Sequence, residues 1–130
     1  MAEKAVQLSL QYFGRTVLLY TPMYISNYCV NKCKYCGYNL ENTINRRKLN
    51  QEEIKAEAQA IAQEGCRHLI LLTGESQEHS PLEYIVESIN TIKEYFPSIT
   101  MEVWPMTVNQ YKEVVKACLL YTSPSPRDRG

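Results

Sequence analysis

The run His68-Leu-Ile-Leu-Leu-Thr73 carries four consecutive aliphatic residues without alternation, and helical periods stand on both sides of it. A strand of this kind is expected to be covered on both faces, as in a parallel sheet sheathed by helices. Upstream, Asn50 with Glu53 is a capping box in which Asn takes the place of Ser or Thr. Ile54, Ala58, Ile61 and Ala62 then keep one apolar face until Gly65, which predicts a helix over 51–64. Downstream, Ser80, Pro81 and Glu83 read as the cap, first-turn proline and acidic third position of a second helix. Its Leu82, Ile85, Val86, Ile89 and Phe96 share a face, and Pro97 closes it. A strand over 99–104 ends at Pro105, and Thr107 with Gln110 caps a helix carrying Val108, Tyr111, Val114 and Val115. Ahead of all these, the β-branched and aromatic stretch 16–25 predicts a strand whose pairing Pro22 restricts. Ala5, Leu8 and Tyr12 precede it at helical spacing, with Gly14 as the stop.

Strand, long loop, helix, strand, helix, strand, helix is an α/β order, built of βαβ units with right-handed crossovers. In such sheets the chemistry gathers at the carboxyl ends of the strands. The loop that follows the first predicted strand holds Cys29, Cys33 and Cys36, and Gly74-Glu75 ends the second. Both features are therefore expected on one rim.

The three cysteines lie at C-x3-C-x2-C spacing in a segment rich in Asn and Gly. Loops this long inside a domain usually carry function. A three-thiolate metal pocket follows, and its lack of a fourth ligand favours an iron-sulfur cluster with one iron left open. Zinc is the main rival. Structural zinc sites almost always close with four ligands, whereas His68 and His79 sit apart, with no paired ligand spacing. Cysteines that bind nothing are the plainest alternative, and Cys66, beside Gly65, reads as a small core residue. Five cysteines, an odd number with three bunched together, suit a reducing compartment better than a disulfide framework. The 14 basic and 14 acidic residues cancel, with no basic patch interleaved with aromatics, so neither nucleic acid nor an anionic membrane is expected as a partner. No apolar run approaches the ~20 residues of a membrane span and the start lacks signal-peptide order, so a cytoplasmic location is expected.

Cys29, Cys33 and Cys36, with aromatic Tyr35 just before the last, resemble the C-x3-C-x-aromatic-C signature of radical S-adenosylmethionine (SAM) enzymes. Tyr20-Thr-Pro-Met-Tyr-Ile-Ser-Asn-Tyr-Cys29, Cys36-Gly-Tyr38, Arg46-Arg-Lys48, Leu71-Leu-Thr-Gly-Glu-Ser-Gln77 and Met101-Glu-Val-Trp-Pro105 are similar to the 2-iminoacetate synthase family, the tyrosine lyases of thiamine biosynthesis. The resemblance covers residues 1 to 117. It implies that the three cysteines hold a [4Fe-4S] cluster whose open iron chelates the amino and carboxylate groups of SAM. Gly74 and Glu75 would match a Gly-Gly-Glu motif that hydrogen-bonds the methionyl amino group, with Thr73 in place of the first glycine. Tyr35 would contact the adenine, mainly through its main chain. Glu102, alternating with Met101 and Val103, faces either the barrel interior or solvent. The implied reaction is reductive cleavage of SAM to a 5′-deoxyadenosyl radical, hydrogen abstraction from tyrosine, and Cα–Cβ scission to 2-iminoacetate and p-cresol. Tyrosine as substrate, an electron donor and a thiazole synthase are the implied partners.

The fold so implied is the N-terminal part of a radical SAM (β/α) TIM-like barrel, about three βα units of an assembly that takes about 250 residues. It divides into a lead-in helix at 1–15, a partial barrel at 16–117 and a tail at 118–130. The tail, Cys118 to Gly130, abandons helical periodicity and looks like the translation of a transposon-end adapter used in sequencing libraries. On that reading the natural gene continues from about Ala117; because the resemblance begins within the family's sequence, Met1 is expected to be an internal methionine. Two alternatives remain: the tyrosine lyase of iron-only hydrogenase maturation, which shares Ser26-Asn-Tyr-Cys-Val30 and Cys36-Gly-Tyr38, and a non-catalytic metal-binding module. Thr73-Gly-Glu-Ser-Gln77 favours the thiamine branch.

Overall fold

Four strands pair in the order β1-β2-β3-β4, all parallel, and the chain visits them in that same order. They are β1 (Thr21–Ser26), β2 (His68–Thr73), β3 (Ser98–Glu102) and the two-residue β4 (Tyr121–Thr122). The helices are α1 (Ala2–Phe13), α2 (Gln51–Gln63), α3 (Leu82–Ile92) and α4 (Val108–Lys116). These come from a computed structural model that describes residues 1–15, 19–117 and 121–122. Most of the predicted adapter-like tail, and Thr16 to Leu18 of the predicted first strand, thus lie outside the described residues.

A sequential strand order has a physical consequence. Parallel crossovers are right-handed, so a sheet that never reverses its winding puts every crossover helix on the same side. Accordingly α2 packs on α3 and α3 on α4. Met23, Ile25, Leu69, Leu71, Ile99 and Met101, alternate residues of three strands, are sealed on that side against Ile54, Ala58, Ile85, Ile89 and Val114. The intervening Tyr24, Ile70, Leu72, Thr100 and Glu102 fall on the other face and keep part of their surface exposed. The expectation of cover on both faces of β2 therefore fails among the described residues. The aliphatic run reflects a second face that stays partly exposed and is not sheathed by helices.

Local signals explain most element ends. The Asn50–Glu53 and Thr107–Gln110 capping boxes both close, each side chain bonding the other's backbone N–H. Gly65 stops α2 in the left-handed region at φ 85°, where a side chain would be strained. The cap predicted at Ser80 does not form. Its hydroxyl is fully buried with no hydrogen-bond partner, and Pro81 is the N-cap of α3, with no side-chain bond. Ser80 is drawn inward because its carbonyl accepts the indole N–H of Trp104 at 2.7 Å and its N–H donates to the Ser76 carbonyl. Helix α3 ends at Ile92, short of Pro97, and β3 ends at Glu102, short of Trp104. On α4 only Val114 is buried, while Val108 and Val115 are exposed. Cys66 is half-buried rather than in the core, and it accepts the Thr21 hydroxyl at 2.9 Å.

Candidate metal and cofactor site

The chain leaves β1 at Ser26 and enters α2 at Gln51, and the 24 residues between form one closed loop. Its two arms zip together at the base. Ser26 bridges antiparallel to Lys48, the Asn27 N–H donates to the Arg47 carbonyl, and the Leu49 N–H donates to the Ile25 carbonyl. The Tyr84 hydroxyl, from α3, shares its one O–H between the carbonyls of Leu49 at 2.7 Å and Ile25 at 3.0 Å, while the Lys48 ammonium lies 4.1 Å from its ring centroid. Burial is the chief reason the Tyr84 phenol is pushed well above its usual range.

Above this base the Arg46 guanidinium acts as a staple. Its N–H groups donate to the carbonyls of Asn27, Tyr38 and Asn39 at 2.7–2.9 Å, which holds the neck of the cysteine segment. Within the segment the Cys36 N–H and the Asn39 side-chain amide both donate to the Cys33 carbonyl, and Asn42 donates to the carbonyls of Cys36 and Gly37. Tyr38 packs edge-on against Tyr24, and burial, with Tyr24 and Cys36 nearby, raises its phenol. The turns are set by backbone and amide hydrogen bonds. Cys29 is 5% exposed, and Cys33 and Cys36 are half-buried. Tyr35, between them, is 80% exposed.

The second strand meets this loop at Gly74. Its N–H donates to the Ser26 carbonyl at 2.9 Å, and a Cβ at this position would run into the Tyr28 carbonyl, 2.8 Å from its carbon and 3.0 Å from the Cys29 Cβ. Only glycine admits so close an approach. Glu75 follows directly. Its carbonyl accepts the Val30 N–H at 2.9 Å, and its carboxylate accepts the Asn31 side-chain amide at 2.6 Å. Gly74 and Glu75 thus lie against the segment that begins at Cys29. Beside them is a cleft of about 300 Å³, lined by Val30, Glu75, Ser76, Glu78, Trp104 and Pro105 among others. Glu102 ends β3 in register with Leu72, which is itself in register with Tyr24, so these three form a row across the sheet face that the helices leave uncovered.

Two features escape a reading of the sequence alone. His79 stacks on Tyr28 with ring centroids 3.9 Å apart and planes 7° from parallel, and its Nδ1 is 2.9 Å from the Ser76 hydroxyl. The pair fastens the loop after β2 to the residue just before Cys29. Asn31, which in sequence is one of several loop-marking asparagines, proves to bridge the two halves of the site. No local signal pairs residues 44 positions apart.

Cysteine is the donor type that holds iron-sulfur clusters, and three cysteines lie on this loop. Among the described residues no three His, Cys, Asp or Glu side chains converge closely enough to hold one metal ion. A cubane asks for a looser set, because each of its thiolates binds a different iron. Its ligands are cysteine thiolates, and here three stand on one pinned loop. No helix among the described residues is long and apolar enough to cross a membrane.

Comparison with known proteins identifies the family. The sequence profile described as the Radical SAM superfamily matches residues 23–122. The 2-iminoacetate synthase of Escherichia coli (strain K12) is 40% identical over 114 residues, covering 88% of this chain and 30% of that protein. The X-ray structure of the FeFe-hydrogenase maturase HydG from Carboxydothermus hydrogenoformans superposes with a TM-score of 0.83 at 31% identity, covering 92% of this chain and 29% of that one. Methylornithine synthase (PylB) superposes at 0.78 with 27% identity, covering 94% and 37%. The chain thus spans less than a third of the 2-iminoacetate synthase it matches.

Proposed function

Because the chain belongs to the Radical SAM superfamily, whose enzymes use a [4Fe-4S] cluster and SAM, we propose that Cys29, Cys33 and Cys36 are the three cluster ligands of a tyrosine lyase. The reaction is Cα–Cβ cleavage of tyrosine to 2-iminoacetate and p-cresol, feeding thiazole formation in thiamine biosynthesis. When bound, the cluster and SAM supply one-electron chemistry that no side chain of this segment provides. The residues here bind and orient. The Arg46 staple and the zipped base hold the three sulfurs in one loop, Gly74 lets the end of β2 approach Cys29, and Glu75 receives the methionyl ammonium. Tyr35 borders the adenine, mainly through its main chain, and the row of Tyr24, Leu72 and Glu102 on the uncovered face lies toward the substrate. An electron donor and a thiazole synthase are the protein partners, in a reducing cytoplasmic compartment.

One observation carries this reading: the Gly74-Glu75 turn is packed on Tyr28 to Asn31, so a ligand of the cysteine loop and a ligand of Glu75 can be the same molecule. The match to 2-iminoacetate synthase favours the thiamine branch. The likeness to HydG supports the hydrogenase-maturation lyase as the second reading. The test is anaerobic reconstitution of the full reading frame that carries these residues, with iron and sulfide analysis and a tyrosine assay. About four irons and four sulfides per chain, with p-cresol released, is the expected result. Stoichiometric zinc without sulfide would overturn the cluster. Failure to restore growth to a strain that lacks the thiamine-pathway lyase, despite p-cresol release, would move the protein to the hydrogenase branch.

A further inference from the structure

We infer that Asn31 is a positioning residue for SAM, acting through Glu75. The inference rests on the assignment of Glu75 to the methionyl ammonium. Asn31 stands two residues after Cys29 and two before Cys33, and its Nδ2 donates to Oε2 of Glu75 at 2.6 Å, the short distance of a charge-assisted hydrogen bond. A carboxylate only accepts, so the amide must present its NH2 to Glu75; its orientation is dictated by its partner. The backbone on both sides of this bond is pinned. The Val30 N–H donates to the Glu75 carbonyl at 2.9 Å, the Leu40 N–H donates to the Asn31 carbonyl at 2.8 Å, and Lys32 pairs with Glu41 at 2.8 Å.

The bond therefore joins two pieces of rigid structure, and the one freedom it removes is rotation of the Glu75 side chain. A carboxylate offers about four lone-pair sites, so a donor on Oε2 leaves capacity for an ammonium group. Glu75 also lines the cleft between the loops after β2 and β3. Asn31 thus holds the ammonium acceptor in fixed register with the cysteine loop. A cofactor that must satisfy both at once gains from having them prearranged. Without Asn31 the carboxylate is free to turn into solvent, and binding has to order it.

A double-mutant cycle in the reconstituted protein, in the full reading frame, tests this. SAM is titrated against the reduced protein, following the change in the cluster EPR signal. Asn31→Ala (N31A) is expected to raise the dissociation constant about tenfold, the loss of one hydrogen bond to a charged group. Glu75→Ala (E75A) is expected to raise it at least as much, and the N31A/E75A double variant no further than E75A alone. A merely structural role for Asn31 would instead weaken binding by the same factor in both backgrounds, and that result overturns the inference. So does an N31A variant that binds normally while E75A does not. An E75A variant that binds normally removes the assignment of Glu75 itself, and the inference with it. If N31A loses iron, the same comparison is made with Asn31→Leu, which roughly keeps the side-chain size and removes the donor without adding a charge. Parallel losses in both backgrounds would again sink the idea.

Discussion

At the scale of single residues, Gly74 and Glu53 carry the sharpest expectations. The atoms that would meet a Cβ at Gly74 include the Tyr28 carbonyl, which is main chain and cannot rotate aside as a side chain would. Gly74→Ala (G74A) must push β2 away from the cysteine loop. Overpacking of this kind costs about 1–3 kcal/mol. Urea denaturation should show that loss, and iron retained after desalting should fall with it; wild-type values on both would mean the close approach is not needed. Glu53 is a milder case with a definite sign. The backbone N–H of Asn50, then the Arg47 side chain, stabilises its carboxylate and lowers its pKa from the ordinary 4.5. A lowered folded-state pKa gives stability that is fully present above the ordinary value and is lost as pH falls through the lowered one. Acidification below about 4.5 should therefore weaken the start of α2. Glu53→Gln (E53Q) should flatten that part of the stability profile while keeping a capping acceptor, and an unchanged acid limb would show that other carboxylates control it.

At the scale of elements, the starts of α2, α3 and α4 behave differently for a reason the packing supplies. Asn50 and Thr107 sit at the surface, free to turn their side chains onto the N3 backbone N–H. Replacing either with Ala should cost about 1 kcal/mol. Ser80 has a cap-like position in sequence, yet its hydroxyl is buried without a partner. Ser80→Ala (S80A) should therefore leave the denaturation midpoint unchanged or raise it, since a buried polar atom without a partner is itself unfavourable. A loss of about 1 kcal/mol in S80A would show that the hydroxyl caps α3 in solution. Both capping boxes were legible because a capping box is a local motif, complete within four residues. The fate of Ser80 was not, because Trp104, 24 residues away, decides where its backbone lies.

At the scale of the whole molecule, the sheet is open. β1 is the first strand of the order, and among the described residues no strand pairs with its outer edge; the Ser26–Lys48 bridge and the bonds from the Leu49 N–H and the Tyr84 hydroxyl to the Ile25 carbonyl engage its carboxyl end. Helices cover one face, and Tyr24, Ile70 and Leu72 line the other with part of their surface exposed. Exposed strand edges beside apolar surface promote association. Expressed alone, the 130-residue chain is expected to self-associate as its concentration rises, to take up some iron on reconstitution and to release no p-cresol. Sedimentation and product analysis check this, and p-cresol from the isolated chain would show that closure of the barrel is dispensable. The order of strands and helices, two of the helix caps and the cysteine spacing could all be read from the sequence, since periodicity, caps and short spacings depend on neighbours along the chain. So could the prospect that the cysteine loop and Gly74-Glu75 share a rim, because parallel strands bring their carboxyl ends together. Only the tertiary structure decided that β2 has one face sheathed by helices and one that is not, that Gly74 lies against Cys29, and that Asn31 reaches Glu75. The last two are contacts between residues 44 to 45 positions apart, and all three are set by strand register and by the winding of the sheet, which the composition of any one segment does not specify.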